Sequence, residues 1–320
     1  MNRSILLFTL FWVFSATGVG RLCAQTPTDD LMMDKGQICV ALTFTHDAWD
    51  EYWEGALQRS NDNIGTLTRQ TIMPMFSLGI TDRINVLAAL PWVKTEASGG
   101  QLTGVQGLQD FGVWAKVHAL HTDIGPGEFN IFGVVGLTAP ASNYLADYMP
   151  LNLGLGCAEG IFRGIFQYRF DQGPYVHTQA GYHLRGNTEI ERDYYYTTHG
   201  VYSNEINMPN AVDWDVVVGS WLLENSLKLE VRVDGLTTLS GHDIRWQDTP
   251  FPSNRMVSTR IGGGGQYFLP FVKGLSVIAN GGYVISGRNV GQSTYFTGGL
   301  AYQFGLWNTA NASTINAPTH

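Results

Sequence analysis

The chain has 320 residues, 44% hydrophobic and only 14% charged, with 38 Gly, 9 Trp, 14 Tyr and 16 Phe. Its formal net charge of −8 excludes a nucleic-acid binder, which needs a basic surface to release counterions from phosphate. Low charge with many glycines and aromatics suits strands that face lipid between aromatic girdles.

Met1, Asn2 and Arg3 open the chain, an apolar run covers Ile5 to Phe14, and small residues through Gly20 lead to Leu22-Cys23-Ala24-Gln25. A positive start, an apolar segment too short to span as a helix and Ala before a cut site describe a secretory signal peptide over 1–24. A lipoprotein signal acylated at Cys23 is the rival, but Leu22 stands where such signals need a small residue. Residues 25–35 are expected as an N-terminal periplasmic segment, 36–305 as a barrel and 306–320 as a polar tail. No later run is long and apolar enough for a spanning helix, so a membrane-inserted mature chain must be a closed barrel.

From Gly36 onward, segments of about ten residues recur, the length a tilted outer-membrane strand needs. They fall at 36–46, 66–79, 83–94, 108–120, 129–139, 157–169, 175–186, 212–223, 227–236, 256–269, 275–286 and 294–304. The short connections are Ile80-Thr81-Asp82, His121 to Glu128, Asp171 to Pro174, Glu224 to Ser226 and Pro270 to Gly274, all rich in turn formers. The long ones are Asp47 to Gly65, Thr95 to Gly107, Pro140 to Gly156, Asn187 to Ala211 and Thr237 to Arg255. Short periplasmic turns alternating with long outer loops predict an all-β fold, a transmembrane antiparallel up-and-down β-barrel of about 12 strands. Cys39 and Cys157 fall on segments this layout does not set side by side, which weighs against a disulfide.

Phase within the strands assigns faces. Leu227, Leu229, Val231 and Val233 alternate with Lys228, Glu230, Arg232 and Asp234, so one side of this strand is hydrocarbon and the other is charge. Charge on the lipid face costs about 2–4 kcal/mol at mid-membrane for a basic residue, so the charged set is expected inside. The same reasoning turns Asp110, Lys116, His118, Arg163, His177, His183, Arg185, Asp213, Asp215 and Arg260 inward. Both signs are present, which leaves an ion-paired plug and a wet channel equally open. Trp49, Tyr52 and Trp53, beside Asp50, Glu51 and Glu54, are expected at the outer mouth, either as an interfacial belt or as rings that stack planar solutes.

The stretch GITDRINVLAALPWVKTEASGG, Gly79 to Gly100, followed by GLQDFGVWAKV, Gly107 to Val117, is similar to the outer-membrane transporter family named for the meta-pathway of phenol degradation. DEYWEG, Asp50 to Gly55, and NIGT, Asn63 to Thr66, resemble its Bacteroidota-type members. Trp92 stands where that family usually has Tyr, and Gln109 where it more often has Gly. The resemblance is specific over Trp49 to Lys116 and general afterwards. It implies an exported barrel, made with barrel-assembly machinery, that passes hydrophobic or aromatic compounds. Read physically, Thr81-Asp82-Arg83 is a tight turn that fixes register, with Asp82 bonding backbone donors and Gly79 supplying positive φ.

His46 with Asp47 and His242 with Asp243 are common loop pairings rather than the arrangement of a membrane protease or phospholipase. His177 and His183 lie too far apart along one strand to chelate a metal unaided. No enzyme, cofactor or metal is therefore expected. The leading function is a passive outer-membrane channel for small, hydrophobic or aromatic solutes, with outer-membrane lipid as its surroundings. The alternative is a closed structural or surface-interaction barrel.

Overall fold

The computed structural model describes residues 25–244 and 249–306. The expected leader, 1–24, and the expected tail beyond Leu306 lie outside the described residues. Twelve antiparallel staves close one sheet. They are β1 Gln37–Trp49, β2 Leu67–Thr81, β3 in two pieces (Ile84–Ala89 and Trp92–Ala97), β4 in two pieces (Gln106–Leu108 and Asp110–Asp123), β5 Gly127–Pro140 and β6 Glu159–Phe170. The second half is β7 Pro174–Arg185, β8 Ala211–Leu222, β9 Leu227–Thr238, β10 Val257–Phe268, β11 Leu275–Arg288 and β12 Thr294–Gly305. Each stave pairs with its sequence neighbour, and β1 also pairs with β12, from Gln37 opposite Gly305 to Ala48 opposite Thr294. The closure leaves no edge strand, so the wall satisfies its own backbone hydrogen bonds.

Local chemistry explains the irregularities. β3 breaks at Leu90-Pro91, where proline has no N–H to give the ladder, and the Gln109 N–H donates to the Pro91 carbonyl instead, at 2.9 Å. The β8–β9 turn holds Leu223, Glu224 and Asn225 at φ of 51°, 55° and 64°. β1 runs on to Trp49, past the expected end at residue 46, because β2 and β12 flank it almost throughout. Register slips between His118 and Leu120. That bulge sets His121 opposite Asn130 and leaves Leu120 exposed.

The two faces differ as period-two patterning requires. On β1, Val40, Leu42 and Phe44 are exposed, while Cys39, Ala41 and Thr43 between them are buried. Val135 and Leu137, Phe162 and Phe166, Val216 and Val218, Leu229 and Val231, and Phe296 and Leu300 carry the apolar outer surface around the ring. The interior has no single apolar core. Small clusters sit at separate levels: Met33 with Cys39, Ala41 and Ala301; Phe132 with Val134 and Ile165; and Ile64 with Leu67 and Leu151. Cys39 and Cys157 are both free and buried. The only helical element among the described residues is the 3-10 turn Phe251–Ser253, and no helix is long and apolar enough to cross a membrane.

Candidate functional site

Residues 25–35, expected as an N-terminal periplasmic segment, fold back into the lumen through the short-turn end. The reversal is anchored at the 79–83 motif. Gly36, at φ 75°, donates its N–H to the Gly79 carbonyl at 2.8 Å, and the Lys35 N–H donates to Asp82 Oδ1 at 3.0 Å. Gly79 is needed for close approach rather than for positive φ, because a Cβ there would lie 2.1 Å from the Asp34 carbonyl oxygen. Met33 is then buried against Cys39, Ala41 and Ala301, and Ser77 Oγ donates to its sulfur at 2.9 Å.

Beyond Met33 the segment is held by polar groups. Asp29 folds it locally, its carboxylate accepting from the Thr26 N–H at 2.5 Å, the Thr26 hydroxyl at 2.9 Å and the Leu31 N–H at 3.0 Å. Lys116, fully buried on β4, donates to Asp29 Oδ1 at 2.8 Å, to the Asp29 carbonyl at 2.5 Å and to the Thr26 carbonyl at 3.3 Å. Arg163 on β6 reaches the Pro27 carbonyl at 3.4 Å, and Asn85 on β3 meets the Gln25 side-chain amide at 2.7 Å. Asp30 lies deepest. It accepts from Gln167 of β6 and faces His177 Nδ1 of β7 and Lys228 Nζ of β9, each at 3.5 Å. Two of the segment's three carboxylates, Asp29 and Asp30, thus meet Lys116, His177 and Lys228 from three staves. No local pattern in 25–35 signals this, which is why its place was missed.

The charged candidates form two inner networks. On β9, Lys228 Nζ is 2.6 Å from Glu230, Arg232 is 3.3 Å from Glu230, and Asp234 binds Arg260 of β10 at 2.7 Å. Tyr175, also fully buried, donates to Glu230 at 2.6 Å. Across β6 to β8, Arg163 joins Gln179 at 2.7 Å and Asp213 at 2.8 Å, while Arg185 joins Glu159 at 2.8 Å. His183 sits between Glu159, at 3.0 Å, and Asp213, at 2.8 Å. His177 likewise faces Asp30 on one side and Asp215 on the other, both at 3.5 Å. Each imidazole thus lies between two carboxylates, with His183 Nε2 hydrogen-bonded to Asp213. His118 stands apart, sharing Asn130 Oδ1 with His121 and stacking on Phe132 at 4.6 Å. Asp30, His177 and Glu230 come close enough together to hold a cation. The Lys228 ammonium already lies among them and neutralises the carboxylates.

At the long-loop end, residues 141–156 fold over the mouth. Arg69 of β2 donates to the Asn152 carbonyl at 3.0 Å and the Leu153 carbonyl at 2.5 Å, and Thr95 of β3 donates to the Leu151 carbonyl at 2.7 Å. Asp110 is committed to this loop, accepting from the Tyr144 hydroxyl and from the Leu155 N–H at 3.1 Å. Burial, then the hydrogen bond to Asp110 and its charge, push the Tyr144 hydroxyl up, so it stays a donor. The expected mouth aromatics lie in and beside the first outer hairpin. Trp53 is buried beneath the 287–290 turn, its ring 2.4 Å from where a Cβ on Gly287 would sit. Trp49 packs against Gly291 and the Leu151 cluster, 6.1 Å from Tyr52. Trp53 and Trp49 help pin the Glu51–Glu54 hairpin to the barrel, while Trp49 and Tyr52 remain partly exposed.

Water access falls with depth along the β9–β10 wall. Side-chain exposure is 43% at Arg260, 31% at Arg232, 9% at Glu230, 6% at Lys228 and 1% at Asp30. Along this wall the least exposed side chains are those that meet the 25–35 segment.

No family model matches the chain, and no curated protein does. Among solved structures, an outer-membrane channel from Pseudomonas putida F1 is similar over 88% of this chain and 100% of its own, at 16% identity and TM-score 0.70. The β domain of a Bordetella autotransporter aligns over 84% and 100% at 14% identity and TM-score 0.49. The translocator domain of the autotransporter NalP from Neisseria meningitidis aligns over 85% and 90% at 13% identity and TM-score 0.45. At these identities the first likeness establishes the barrel fold, and the two weaker ones add nothing to it.

Proposed function

We propose that this chain is an outer-membrane channel for passive passage of small solutes, held closed in this conformation by its own residues 25–35. One observation carries the reading: a chain segment anchored at the 79–83 turn lies in the lumen, bound by ions and hydrogen bonds together with the side chains of Leu31, Met32 and Met33. A barrel serving only as a pillar would be filled by its own wall. A polar plug can leave, because water replaces its hydrogen bonds at modest net cost. The apolar outer surface supports insertion in a bilayer, and the solved channel from Pseudomonas putida F1 shares the fold. The likeness of Gly79–Gly100 and Gly107–Val117 to the phenol meta-pathway family makes small organic compounds the first solutes to test. The test is conductance in planar bilayers, comparing the full chain with a variant lacking 25–34. Steady conductance in the deletion and rare opening in the full chain support the channel. A folded deletion variant that never conducts favours the second reading, a closed structural barrel, to which the folded-over 141–156 loop lends weight.

A further inference from the structure

Two imidazoles near the short-turn end stand outside the ion networks of the lumen and converge on one atom. His118 Nε2 and His121 Nδ1, both of β4, each lie 2.9 Å from Asn130 Oδ1 of β5. Three residues apart on a regular strand, they would point to opposite faces. The bulge between His118 and Leu120 cancels that, setting His118 opposite Phe132 and His121 opposite Asn130. The two rings meet edge to face with centroids 6.1 Å apart, and the stack on Phe132 holds His118 in place.

Carboxylates flank the pair. Glu128 Oε2 is 4.0 Å from His121 Nδ1, and Asp123 Oδ1 is 3.9 Å from His121 Nε2. Of the His121 side chain, 48% is exposed, so water reaches the pair from the short-turn end. Among the cations of this end, Lys116 is committed to Asp29, and neither Arg83 nor Arg169 bonds an imidazole among the described residues.

We propose that His118 Nε2, His121 Nδ1 and Asn130 Oδ1 form a binding site for a divalent transition-metal ion of the Zn²⁺, Ni²⁺ and Cu²⁺ class, with water and the Glu128 carboxylate completing its shell. Imidazole nitrogen is a favoured donor for these ions. Donors about 2.0–2.1 Å from one ion, at tetrahedral to octahedral angles, stand about 3.0–3.4 Å apart. Both nitrogens already stand 2.9 Å from the amide oxygen, so an ion enters between them with side-chain rotation alone. Each neutral ring then carries its proton on the far nitrogen. For His121 that nitrogen is Nε2, which faces Asp123, and a carboxylate behind a ligating histidine orients the ring and raises its basicity. Asn130 also leads inward: its Nδ2 donates to Gln167 Oε1 at 2.9 Å, and Gln167 donates to Asp30. An ion on Asn130 Oδ1 therefore fixes the first link of the amide chain that seats the 25–35 segment. The site itself does not depend on the channel reading.

The test is electron paramagnetic resonance of Cu²⁺ titrated into the tag-free full chain in detergent micelles, with Zn²⁺ as a diamagnetic competitor. One Cu²⁺ per chain, coupled to two imidazole nitrogens and displaced by Zn²⁺, is the expected result. Binding should weaken at least tenfold, with one nitrogen lost, in His118→Gln and in His121→Gln, while His199→Gln, which removes an exposed outer-loop imidazole, should change nothing. Heat-modifiable gel mobility establishes that the variants are folded. Copper-catalysed oxidation of the wild type, mapped by mass spectrometry, answers without any variant: oxidised His118 and His121 are expected. The proposal is overturned by no stoichiometric Cu²⁺ binding, by two nitrogens surviving in a folded His121→Gln, or by oxidation confined to other residues.

Discussion

Replacing Asp30 by Asn should unseat the 25–35 segment. Asp30 is buried, accepts from Gln167 and faces His177 and Lys228. Removing one partner of a buried ionic cluster costs about 3–5 kcal/mol, because the remaining charges are left uncompensated. Two features reduce that here. Lys228 keeps Glu230 at 2.6 Å, and an asparagine oxygen can still accept from Gln167. About 2–3 kcal/mol is then the expected loss, and at about 1.4 kcal/mol per tenfold it raises the released population roughly 30- to 140-fold. Single-channel recording reads this as open probability. Asp34→Asn, which alters an exposed carboxylate at the tether, should leave it unchanged. A folded Asp30→Asn channel with wild-type open probability would refute the argument that this cluster holds the plug.

The remaining predictions test the wall, the tether and the loops. Val231→Arg puts a cation on an outward position that is 62% exposed and should reduce folding yield in lipid vesicles by an amount corresponding to about 2–4 kcal/mol, with little effect on solubility in denaturant. Gly79→Ala should raise open probability while leaving barrel heat-modifiability intact, since the new Cβ strikes the Asp34 carbonyl; an unaltered channel would show that the tether does not need that close approach. Hydrogen bonds from Arg288, chiefly, and from Asn289 hold the Asp243 carboxyl below the usual aspartate range. The stabilisation is therefore present above the unfolded aspartate range and lost as pH falls through the lowered value. Asn289 also receives the Gly55 N–H at 2.7 Å, so hydrogen-exchange protection at Gly55, corrected for intrinsic rate, should persist through the ordinary aspartate range and be lost only at lower pH.

The barrel was legible wherever the two faces differ in chemistry. Leu227 to Asp234 alternates so strictly that its staves and faces follow from the pleat alone, and turn-forming residues marked the short connections. Features that depend on distant parts of the chain were not legible. Asp29 and Asp30 look like any solvated carboxylates until β4, β6, β7 and β9 surround them. The bulge between His118 and Leu120 exchanges faces for the residues after it, and strict alternation cannot announce an added residue. Trp49 and Trp53 read as mouth aromatics because nothing local reveals that Gly287 and Gly291 make room for them. Tyr175 shares the phase of His177 and Gln179 on its stave, so its inward face follows from the pleat.

The seat for Asp30 draws on Gln167, His177 and Lys228, from β6, β7 and β9, whereas its tether is at the start of β1. This sets an order of events during biogenesis. Closing so large a loop of chain is entropically slow, and the seat does not exist until β6, β7 and β9 have come together. Until then Lys116 lacks the Asp29 carboxylate, and Lys228 and His177 have only Glu230 and Asp215, so this part of the interior must remain hydrated. The nascent barrel therefore inserts around a column of water, and docking of its own N-terminal segment is the step that expels the part of that column nearest the short turns.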